Sequence, residues 1–426
     1  MRPATARRSA PDASWPVVSL GEVVDLLAGF PFKSERFIAT PMDGVPLVKG
    51  ENVSQGRILW SISKYWPAHE YSEHAKFHLL SGDVILAMDR PWVPAGLKWA
   101  FIREEDPKAL LVQRCARLRS RVPKLHQDFL RYVIGGRSFE DYIRPITTGV
   151  NVPHISGAQI LAFRLALPPV AAQRRIAGIL SAYDDLIENC ERRIRVLDEM
   201  ARALYREWFV LFRYPGHEKA PLIESQLGPI PKGWHHRPLS DLACVNERQV
   251  DVKHPPPRIR YVDISSVSPG NVDNVTEYDF PDAPGRARRI VRHGDVLWSC
   301  VRPNRRSHAL LLHPDEATIA STGFAVLTAK KVPYSYLYVA TTTDEFTGYL
   351  EKRATGAAYP AVTSKVFEDA PILTPEAALL ERFARAAGAW FEVIALLQRR
   401  VGNLRKTRDL LLPRLLSGQL AVEDVA

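Results

Sequence analysis

The sequence predicts an α+β protein built from two similar globular segments, each followed by a long helix. The first observation is a run over residues 174–212 in which apolar residues recur at alternating steps of four and three. That spacing is typical of a helix that packs along one narrow apolar seam. At about 1.5 Å per residue the helix would be roughly 60 Å long, and so long an apolar stripe requires a partner helix.

The second observation is an internal repeat that supplies this partner. A shift of 207 residues moves the seam onto a second series near the end of the chain, which only Arg408 and Gly418 interrupt, and it also carries Pro153 onto Pro360. A fixed offset in loops as well as helices indicates a duplication; the alternative is two unrelated amphipathic helices. The predicted seam residues are Ile176, Leu180, Ile187, Ile194, Leu197 and Leu204 in the central helix, and Trp390, Ile394, Leu397, Val401 and Leu404 in the C-terminal helix.

Short strands mixed with helical spacing give the α+β assignment of each globule. In the first globule, residues 45–53, 57–62, 82–87 and 160–167 are predicted as strands, and residues 125–142 as a helix. In the second globule, the strand pattern at residues 294–297 matches that at 82–85, and residues 336–349 match the helix at 129–142. The order of elements therefore repeats.

Composition places the domain boundaries. We expect a disordered basic tail over residues 1–14, a first globule over 15–169, a central helix over 170–213, a Pro/Gly linker over 214–233, a second globule over 234–374, and a C-terminal helix and tail over 375–426. The linker contains four prolines, which interrupt regular structure. A transit peptide is the alternative interpretation of the tail.

Charge and cysteine content restrict the class of protein. The 426 residues carry a formal net charge of +10, and the pI is near 9.4, which favours a polyanionic partner. The four cysteines form no CxxC pair and indicate free thiols in a reducing cytoplasm. Apolar runs are too short to span a bilayer. A cytoplasmic location is expected.

Motifs for catalysis or metal binding are not found in the sequence. There is no GxxxxGK[ST] loop, no GxGxxG after a strand and no GxSxG. His74 and His78 are four residues apart but lack the glutamate of the HExxH zinc motif, so a histidine pair on a surface is the preferred interpretation. We therefore expect no catalytic residues and no metal site in this chain.

Basic residues are concentrated in one part of the second globule. Asp295 is the single acid in a segment of seven arginines, which are Arg286, Arg288, Arg289, Arg292, Arg302, Arg305 and Arg306. Arg302, Asn304 and Arg305 follow a predicted strand directly. Arginine pairs with guanine and asparagine with adenine in the major groove, and the remaining arginines would bind phosphates. The alternative is a solvated basic face.

Three further loops are candidates for DNA contact. The loop equivalent to the arginine segment in the first globule offers Arg90, Trp92 and Lys98, although Trp92 alone is more typical of a core residue. Lys49 and Asn52 lie in a second polar loop. A TGxxxPx[IV][ST] pattern recurs at residues 148–156 and 355–363, with Asn151 and Tyr359 at its variable positions. That pattern would either contact DNA or set the globule against its helix, and both interpretations remain open.

This layout resembles the specificity (S) subunit of type I restriction–modification systems over residues 15–420. The resemblance rests on Trp-x4-Leu at 15–20 and 234–239, Gly-Asp-Val at 82–84 and 294–296, the paired TGxxxPx[IV][ST] loops, and two long helices. Residues 167–176, LPPVAAQRRI, are similar to the family's LPPxxEQxxI helix entry, and 412–420, LPRLLSGQL, to its typical ending. Two departures are Ala172 in place of glutamate and Thr374-Pro375-Glu376 before the second helix.

The resemblance implies a non-catalytic DNA-binding subunit in a phage-defence system. Each globule would be a target-recognition domain for one half of a bipartite DNA site, and the helices would pack as an antiparallel coiled coil with pseudo-twofold symmetry. Two modification (methyltransferase) subunits would dock on the helices, joined by restriction subunits, and S-adenosylmethionine, ATP and Mg²⁺ would bind to those partners. Alternatives are a stand-alone DNA methyltransferase or nuclease, or a coiled-coil scaffold that binds protein and not DNA.

Overall fold

The chain folds into two compact units whose boundaries lie within the two long helices. A computed structural model describes residues 15–38, 40–93, 96–121, 123–149, 152–225 and 227–420. The first unit comprises residues up to 187 together with those from 402, and the second comprises residues 188–401. The predicted tail over residues 1–14 lies outside the described residues.

The first unit combines short strands with four small helices and the start of a long one. Its strands are β1 Val17–Ser19, β2 Val24–Ala28, β3 Gly44–Val48, β4 Tyr65–Pro67, β5 Val84–Ala87, β6 Trp92–Val93, β7 Gly96–Leu97, β8 Trp99–Phe101, β9 Leu110–Leu111, β10 Cys115–Ser120 and β11 Arg164–Ala166. Its helices are α1 Leu20–Val23, α2 Gln127–Ile134, α3 Arg137–Ile146, α4 Gly157–Leu161 and the start of α5, Val170–Tyr205.

The second unit contains a matching set of elements. Its strands are β12 Leu222–Ile223, β13 Ile230–Pro231, β14 His235–Pro238, β15 Ala243–Val245, β16 Arg258–Val262, β17 Val267–Ser268, β18 Asn271–Val272, β19 Thr276–Asp279, β20 Ala287–Ile290, β21 Asp295–Ser299, β22 His308–Leu311, β23 Thr318–Ser321, β24 Phe324–Ala329 and β25 Pro371–Thr374. Its helices are α6 Leu239–Leu242, α7 Tyr334–Thr341, α8 Asp344–Arg353, α9 Ser364–Glu368 and most of α10, Ala377–Leu416.

Sheet topology repeats between the units. An antiparallel sheet in the order β2-β10-β5-β8 in the first unit corresponds to β15-β24-β21-β22 in the second. In both units a parallel strand pair accompanies this sheet, β3 with β9 and β16 with β23. In the first unit β1 pairs with β11, the strand that precedes α5, and in the second unit β14 pairs with β25, the strand that precedes α10. The α+β fold class and the tandem domains predicted from the sequence are confirmed.

The Gly-Asp-Val motif has the same structural role in both units. Gly82 and Gly294 adopt φ of 86° and 85°, a left-handed backbone that glycine tolerates without steric cost. The buried aspartate that follows accepts a hydrogen bond from a backbone N–H three residues before it, from Leu80 to Asp83 and from Arg292 to Asp295, each at 2.8 Å. The motif therefore closes the turn that delivers β5 and β21 into the core.

In the first unit, the start of α5 packs with the end of α10. Ile176 and Leu180 are fully buried in one apolar cluster with Leu415. Arg408, the charged residue that interrupted the predicted seam, donates from Nη1 to Asp184 Oδ1 at 2.7 Å. Tyr132 on α2 donates its hydroxyl to the other oxygen of the same carboxylate. An ion pair shared with the globule thus replaces an apolar contact at this position.

The glutamine of the helix entry fixes the first turn of α5. Gln173 is fully buried, and its side-chain oxygen accepts from the N–H of His126 at 2.7 Å. Its amide donates to the carbonyl oxygens of Lys124 and Pro168. These bonds satisfy polar groups that the end of the globule would otherwise bury without partners.

In the second unit, the end of α5 packs with the start of α10 through aromatic contacts. Phe383 lies with its ring centroid 6.1 Å from that of Tyr205 and 5.2 Å from that of Phe209. Ala201, Ala387 and further seam residues complete the cluster. Across both units, the predicted seam residues Ile187, Ile394, Leu397 and Val401 are buried, and Ile194, Leu197, Leu204, Trp390 and Leu404 are half-buried.

A predicted helix and a predicted strand differ from the observed elements. The first is interrupted at a glycine, and the second is replaced in part by a helix that a capping box starts. The helix expected over residues 125–142 breaks at Gly135, where Trp99 packs so closely that a Cβ would lie 2.2 Å from its ring. The strand expected over residues 160–167 is α4 followed by the short β11. There Ser156 and Gln159 form a capping box, with bonds of 3.2 and 2.7 Å, which starts a helix.

One further predicted strand and the predicted end of the central helix also differ from the structure. Residues 57–62, predicted as a strand, contain one isolated bridge at Ile58 and a 3-10 turn over Trp60–Ile62. The α-helical part of α5 ends at Tyr205, and a π-helical turn continues over Arg206–Val210. Phe212, two residues later, has φ of 58°. No helix in the described part of the chain is long and apolar enough to cross a membrane.

We expect the burial of Leu180 to make a large contribution to stability. Leu180→Ala should lower the free energy of unfolding by about 2–5 kcal/mol, because it leaves a cavity in a fully buried cluster. Leu186→Ala on the same helix is the matched control; Leu186 is 43% exposed, and its loss should change stability by less than about 0.5 kcal/mol. Urea denaturation of the full chain measures both. Equal losses in the two variants would contradict the packing described above.

Candidate nucleic-acid interface

The end of β21 delivers a loop of basic residues to the surface. We call residues 302–306 the arginine loop; it follows a strand in which all five residues are buried. Arg302 and Arg306 bracket it with φ of 51° and 54°, and Pro303–Arg305 form a 3-10 turn between them. Left-handed backbone at residues other than glycine costs about 1–3 kcal/mol and is concentrated at functional sites.

A second loop holds the arginine loop in place. We call residues 355–361 the TG loop; Thr355 and Ala361 exchange two backbone hydrogen bonds of 2.9 and 2.8 Å across it. Arg302 donates its backbone N–H to the carbonyl oxygen of Pro360 at 2.7 Å, and Val362 donates to Cys300 at 2.9 Å. The two loops are therefore joined by backbone pairing.

Side chains of the two loops form one basic and aromatic surface. The Arg302 guanidinium lies 4.5 Å from the ring centroid of Tyr359, which is 69% exposed, and Nη2 donates to the carbonyl oxygen of Ala358 at 3.2 Å. Asn304 and Arg305 are exposed, and no described residue forms a hydrogen bond or ion pair with either side chain. The surface offers a stacking platform with two polar side chains beside it.

Arg306 is held differently from its neighbours. Its guanidinium forms an ion pair of 2.5 Å with Asp344 at the start of α8. Asp344 was not among the residues predicted from the sequence, where an acid in the first turn of a helix is its only signal. Arg306 therefore ties the loop to α8.

The first unit repeats the same loop pair. Arg90, which follows β5, has φ of 46° and donates its N–H to the carbonyl oxygen of Pro153 at 2.8 Å, as Arg302 does to Pro360. Thr148 and His154 exchange backbone hydrogen bonds of 3.0 and 2.7 Å across the TG loop of this unit. The sequence left two roles open for the TGxxxP pattern; in both units its backbone holds the arginine that follows the central strand.

The loop pair of the first unit contains side-chain contacts made by Asp89. Asp89 contacts His154 Nδ1 at 2.5 Å and Arg114 Nε at 3.1 Å. Arg90 itself is exposed. Asn151, the variable residue predicted as a DNA contact in this TG loop, lies outside the described residues.

Four other predicted contact residues of the first unit have structural partners. Asn52 is fully buried, and its side chain bonds to Leu47 O, Ser63 Oγ and the N–H of Lys49 at 2.9–3.0 Å. Lys49 pairs with Glu51 at 3.0 Å, and Lys98 donates to the carbonyl oxygen of Gly50. Trp92 is half-buried, with Arg144 over its ring. Asn52 therefore presents no side-chain surface to a ligand, and we leave it out of the interface.

Three other arginines of the basic segment lie on or beside β20. Arg286 is exposed, whereas Arg288 and Arg289 are half-buried. Arg288 donates to the carbonyl oxygen of Ala287 and lies over Phe280. Burial lowers the pKa of Arg289, whose Nε has no hydrogen-bond partner among the described residues. Of these three, Arg286 is the one fully available to a phosphate.

His308, which was not predicted from the sequence as a site residue, lies directly behind the arginine loop at the start of β22. It is 4% exposed, and its ring centroid lies 5.0 Å from that of Trp298. Burial, then the charges of Arg202 and Arg306, lower the pKa of His308 to about 3. The neutral imidazole is therefore the form that the folded unit accommodates.

This pKa predicts a loss of stability in acid. The unfolded chain protonates His308 near pH 6.5, so its contribution is complete above that pH and is lost as pH falls towards 3. His308→Gln should reduce the slope of unfolding free energy against pH by up to about 1.4 kcal/mol per pH unit between pH 6 and about pH 4. Denaturant unfolding at several pH values measures the slope. An unchanged slope in the variant would contradict a buried neutral histidine.

Comparisons with known proteins agree with this organisation. Residues 13–199 match the family model of the type I restriction modification DNA specificity domain. The type I restriction enzyme MjaVIII specificity subunit of Methanocaldococcus jannaschii is 31% identical over 174 residues, which are 41% of this chain and 40% of that protein. The MjaIX specificity subunit of the same organism is 23% identical over 317 residues, 72% of each chain. The chain thus matches less than half the length of the first relative.

A solved structure extends the similarity in fold to the whole chain. The S subunit of a type I restriction–modification system from M. genitalium superposes with a TM-score of 0.54 at 14% sequence identity, over 97% of both chains. The proteins named here are specificity subunits. The resemblance predicted from the sequence is confirmed: residues 13–199 match the type I restriction modification DNA specificity domain, and the chain is similar to type I specificity subunits.

Proposed function

We propose that this chain is the DNA-reading subunit of a type I restriction–modification complex, in which each of the two globules recognises one half of a bipartite site. The observation that carries the proposal is the repeated loop pair, in which Arg90 and Arg302 occupy equivalent strained positions held by equivalent prolines. A duplicated fold that presents different side chains from the same frame is suited to reading two different sequences.

The chemistry of the arginine loop supports contact with DNA. An arginine held over an aromatic ring loses less side-chain freedom on binding, because its orientation is already restricted. Arg302 or Arg305 would bond bidentately to guanine, and Asn304 to adenine, in the major groove. Arg286 is placed on the same basic segment to bind a phosphate, which would position the globule without reading sequence.

The long helices support the proposed roles of spacer and docking frame. In the first unit Asp184 of α5 pairs with Arg408 of α10, and in the second Tyr205 pairs with Phe383. Ascending positions on α5 with descending positions on α10 are the order of an antiparallel coiled coil. Exposed apolar side chains on these helices would receive the modification subunits; they are Leu186, Val196, Met200, Val393, Leu396 and Leu410.

Catalysis would reside in the partners. Two modification subunits would bind S-adenosylmethionine and methylate adenine, and restriction subunits would use ATP and Mg²⁺, while this chain supplies sequence recognition and spacing. A stand-alone methyltransferase or nuclease would instead methylate or cleave DNA as a purified chain. A protein-binding scaffold would show no salt-dependent affinity for DNA.

Substitution of the two equivalent arginines should separate the two half-sites. In the complex reconstituted with its modification subunits, Arg302→Ala should weaken binding by about 10- to 100-fold and relax recognition at one half-site only. Arg90→Ala is the matched variant and should relax recognition at the other half-site. Methylome sequencing of cells that carry each variant gives the readout. Loss at the same half-site in both variants, or at both half-sites in one, would contradict two independent readers.

The proposed spacer role predicts that helix length sets the distance between half-sites. Deletion of residues 188–194 from α5 and 395–401 from α10 removes seven residues from each helix, which keeps the seam in register because it repeats every seven residues. The helices should shorten by about 10 Å, or about three base pairs at roughly 3.4 Å each. The methylated motif should therefore have a shorter spacer. An unchanged spacer in an active complex would contradict this role.

A further inference from the structure

Two histidines and a glutamate meet at one point of the second unit. His293 lies in the turn before β21, His313 in the turn after β22, and Glu392 on α10. One nitrogen or oxygen of each side chain lies within 4.8 Å of those of the other two. We call these three residues the His-His-Glu cluster. They are separated by 20 and 79 residues in the sequence, so no local sequence motif could have predicted the cluster.

The carboxylate of Glu392 lies close to the Nε2 atoms of both imidazoles. Its Oε2 is 2.9 Å from His313 Nε2, and its Oε1 is 3.8 Å from His293 Nε2. The two rings lie 4.4 Å apart between centroids. In a tetrahedral zinc site with bonds of about 2.0–2.1 Å, ligand atoms are roughly 3.3–3.5 Å apart, so small side-chain movements would bring all three atoms onto one ion.

Backbone strain supports a ligand-binding interpretation. His313 has φ of 52°, a left-handed conformation that is uncommon outside glycine. The backbone N–H of His313 lies 3.4 Å from His293 Nδ1, a distance too long for a strong hydrogen bond. Binding of a metal at Nε2 would move the ring proton of His293 to Nδ1 and release only this weak contact.

The fold does not require the cluster, because the first unit forms the equivalent turn, at Gly82, without these three residues. Ser81 precedes Gly82 where His293 precedes Gly294, and both glycines adopt left-handed backbone. A Cβ on Gly82 would meet Gln127 at 3.3 Å, and one on Gly294 would meet Tyr334 at 3.2 Å, so these two residues are equivalent. In the second unit Tyr334 donates its hydroxyl to Glu392 at 3.3 Å. The cluster is thus an addition to a shared frame.

We propose that His293, His313 and Glu392 bind one divalent zinc ion that fastens the recognition globule of the second unit to its own helix α10. Two imidazole nitrogens and one carboxylate oxygen are a ligand set that zinc accepts, and solvent supplies the fourth position. Tyr334 does not bind the ion; its hydroxyl donates a hydrogen bond to the Glu392 carboxylate and so orients it. The ion joins two turns of the sheet to the helix and so cross-links them. This site does not depend on the proposed reading of DNA.

Zinc binding by the full-length, untagged chain tests the site. After treatment with EDTA and dialysis, the chain is titrated with zinc chloride in competition with a chromophoric chelator. We expect one zinc per chain at micromolar affinity, with no competition from excess Mg²⁺, which prefers oxygen ligands. His313→Ala and Glu392→Gln should each weaken binding by at least about tenfold. Zinc should raise the Tm of the wild-type chain by roughly 3–5 °C and leave the Tm of these two variants nearly unchanged.

His254→Ala is the matched control. His254 forms an exposed pair with Asp251 at 3.0 Å, close to the His313–Glu392 distance, but no third donor from the described residues joins them. The control should bind zinc as the wild type does. Circular dichroism of the apo variants establishes that they are folded. Absence of stoichiometric binding by the wild type, or equal affinity in the wild type and both cluster variants, would overturn the proposal.

Discussion

Burial of a single apolar stripe on each long helix is the constraint on which the other features depend. A helix of 36 or 40 residues with one such stripe is unstable alone in water, so segments of α5 and α10 pack together in each unit. The globules pack on the same helices; Leu180 and Leu415 lie in the cluster that contains the core of the first unit, and Phe383 lies in that of the second. Helix and globule therefore share one core in each unit.

Within each globule, backbone hydrogen bonds between two loops fix the position of an arginine at the end of the buried central strand. The central strand is buried along its length, and the next residues turn outwards with left-handed backbone at Arg90 or Arg302. This conformation is unfavourable by itself, and the hydrogen bond from the arginine N–H to the proline carbonyl of the TG loop offsets part of its cost. Side chains can vary on such loops without loss of the fold, since backbone atoms make the pairing.

Among the residues that the structure describes, some arginines have an acidic partner and others do not. Only those without a partner are available to bind an anionic ligand. Arg306 is paired with Asp344, and Arg408 with Asp184, so the positive charges of these two arginines are already neutralised. Arg305 and Arg286 are exposed. An exposed guanidinium retains its hydration and its long-range field until a polyanion approaches, which favours fast association with such a partner. The net charge of +10 is thus less informative than the positions of a few arginines.

The sequence by itself determined the duplication, the seam and the α+β class, because helical periodicity and a constant offset are properties of the chain read in order. Tertiary structure alone decided the break at Gly135, where Trp99 approaches, the burial of Asn52, and the pairing of the arginine loop with the TG loop. It also decided the meeting of His293, His313 and Glu392. The physical reason is the same in each case: these features depend on contacts between residues far apart in the chain, whose distances follow from packing and not from spacing.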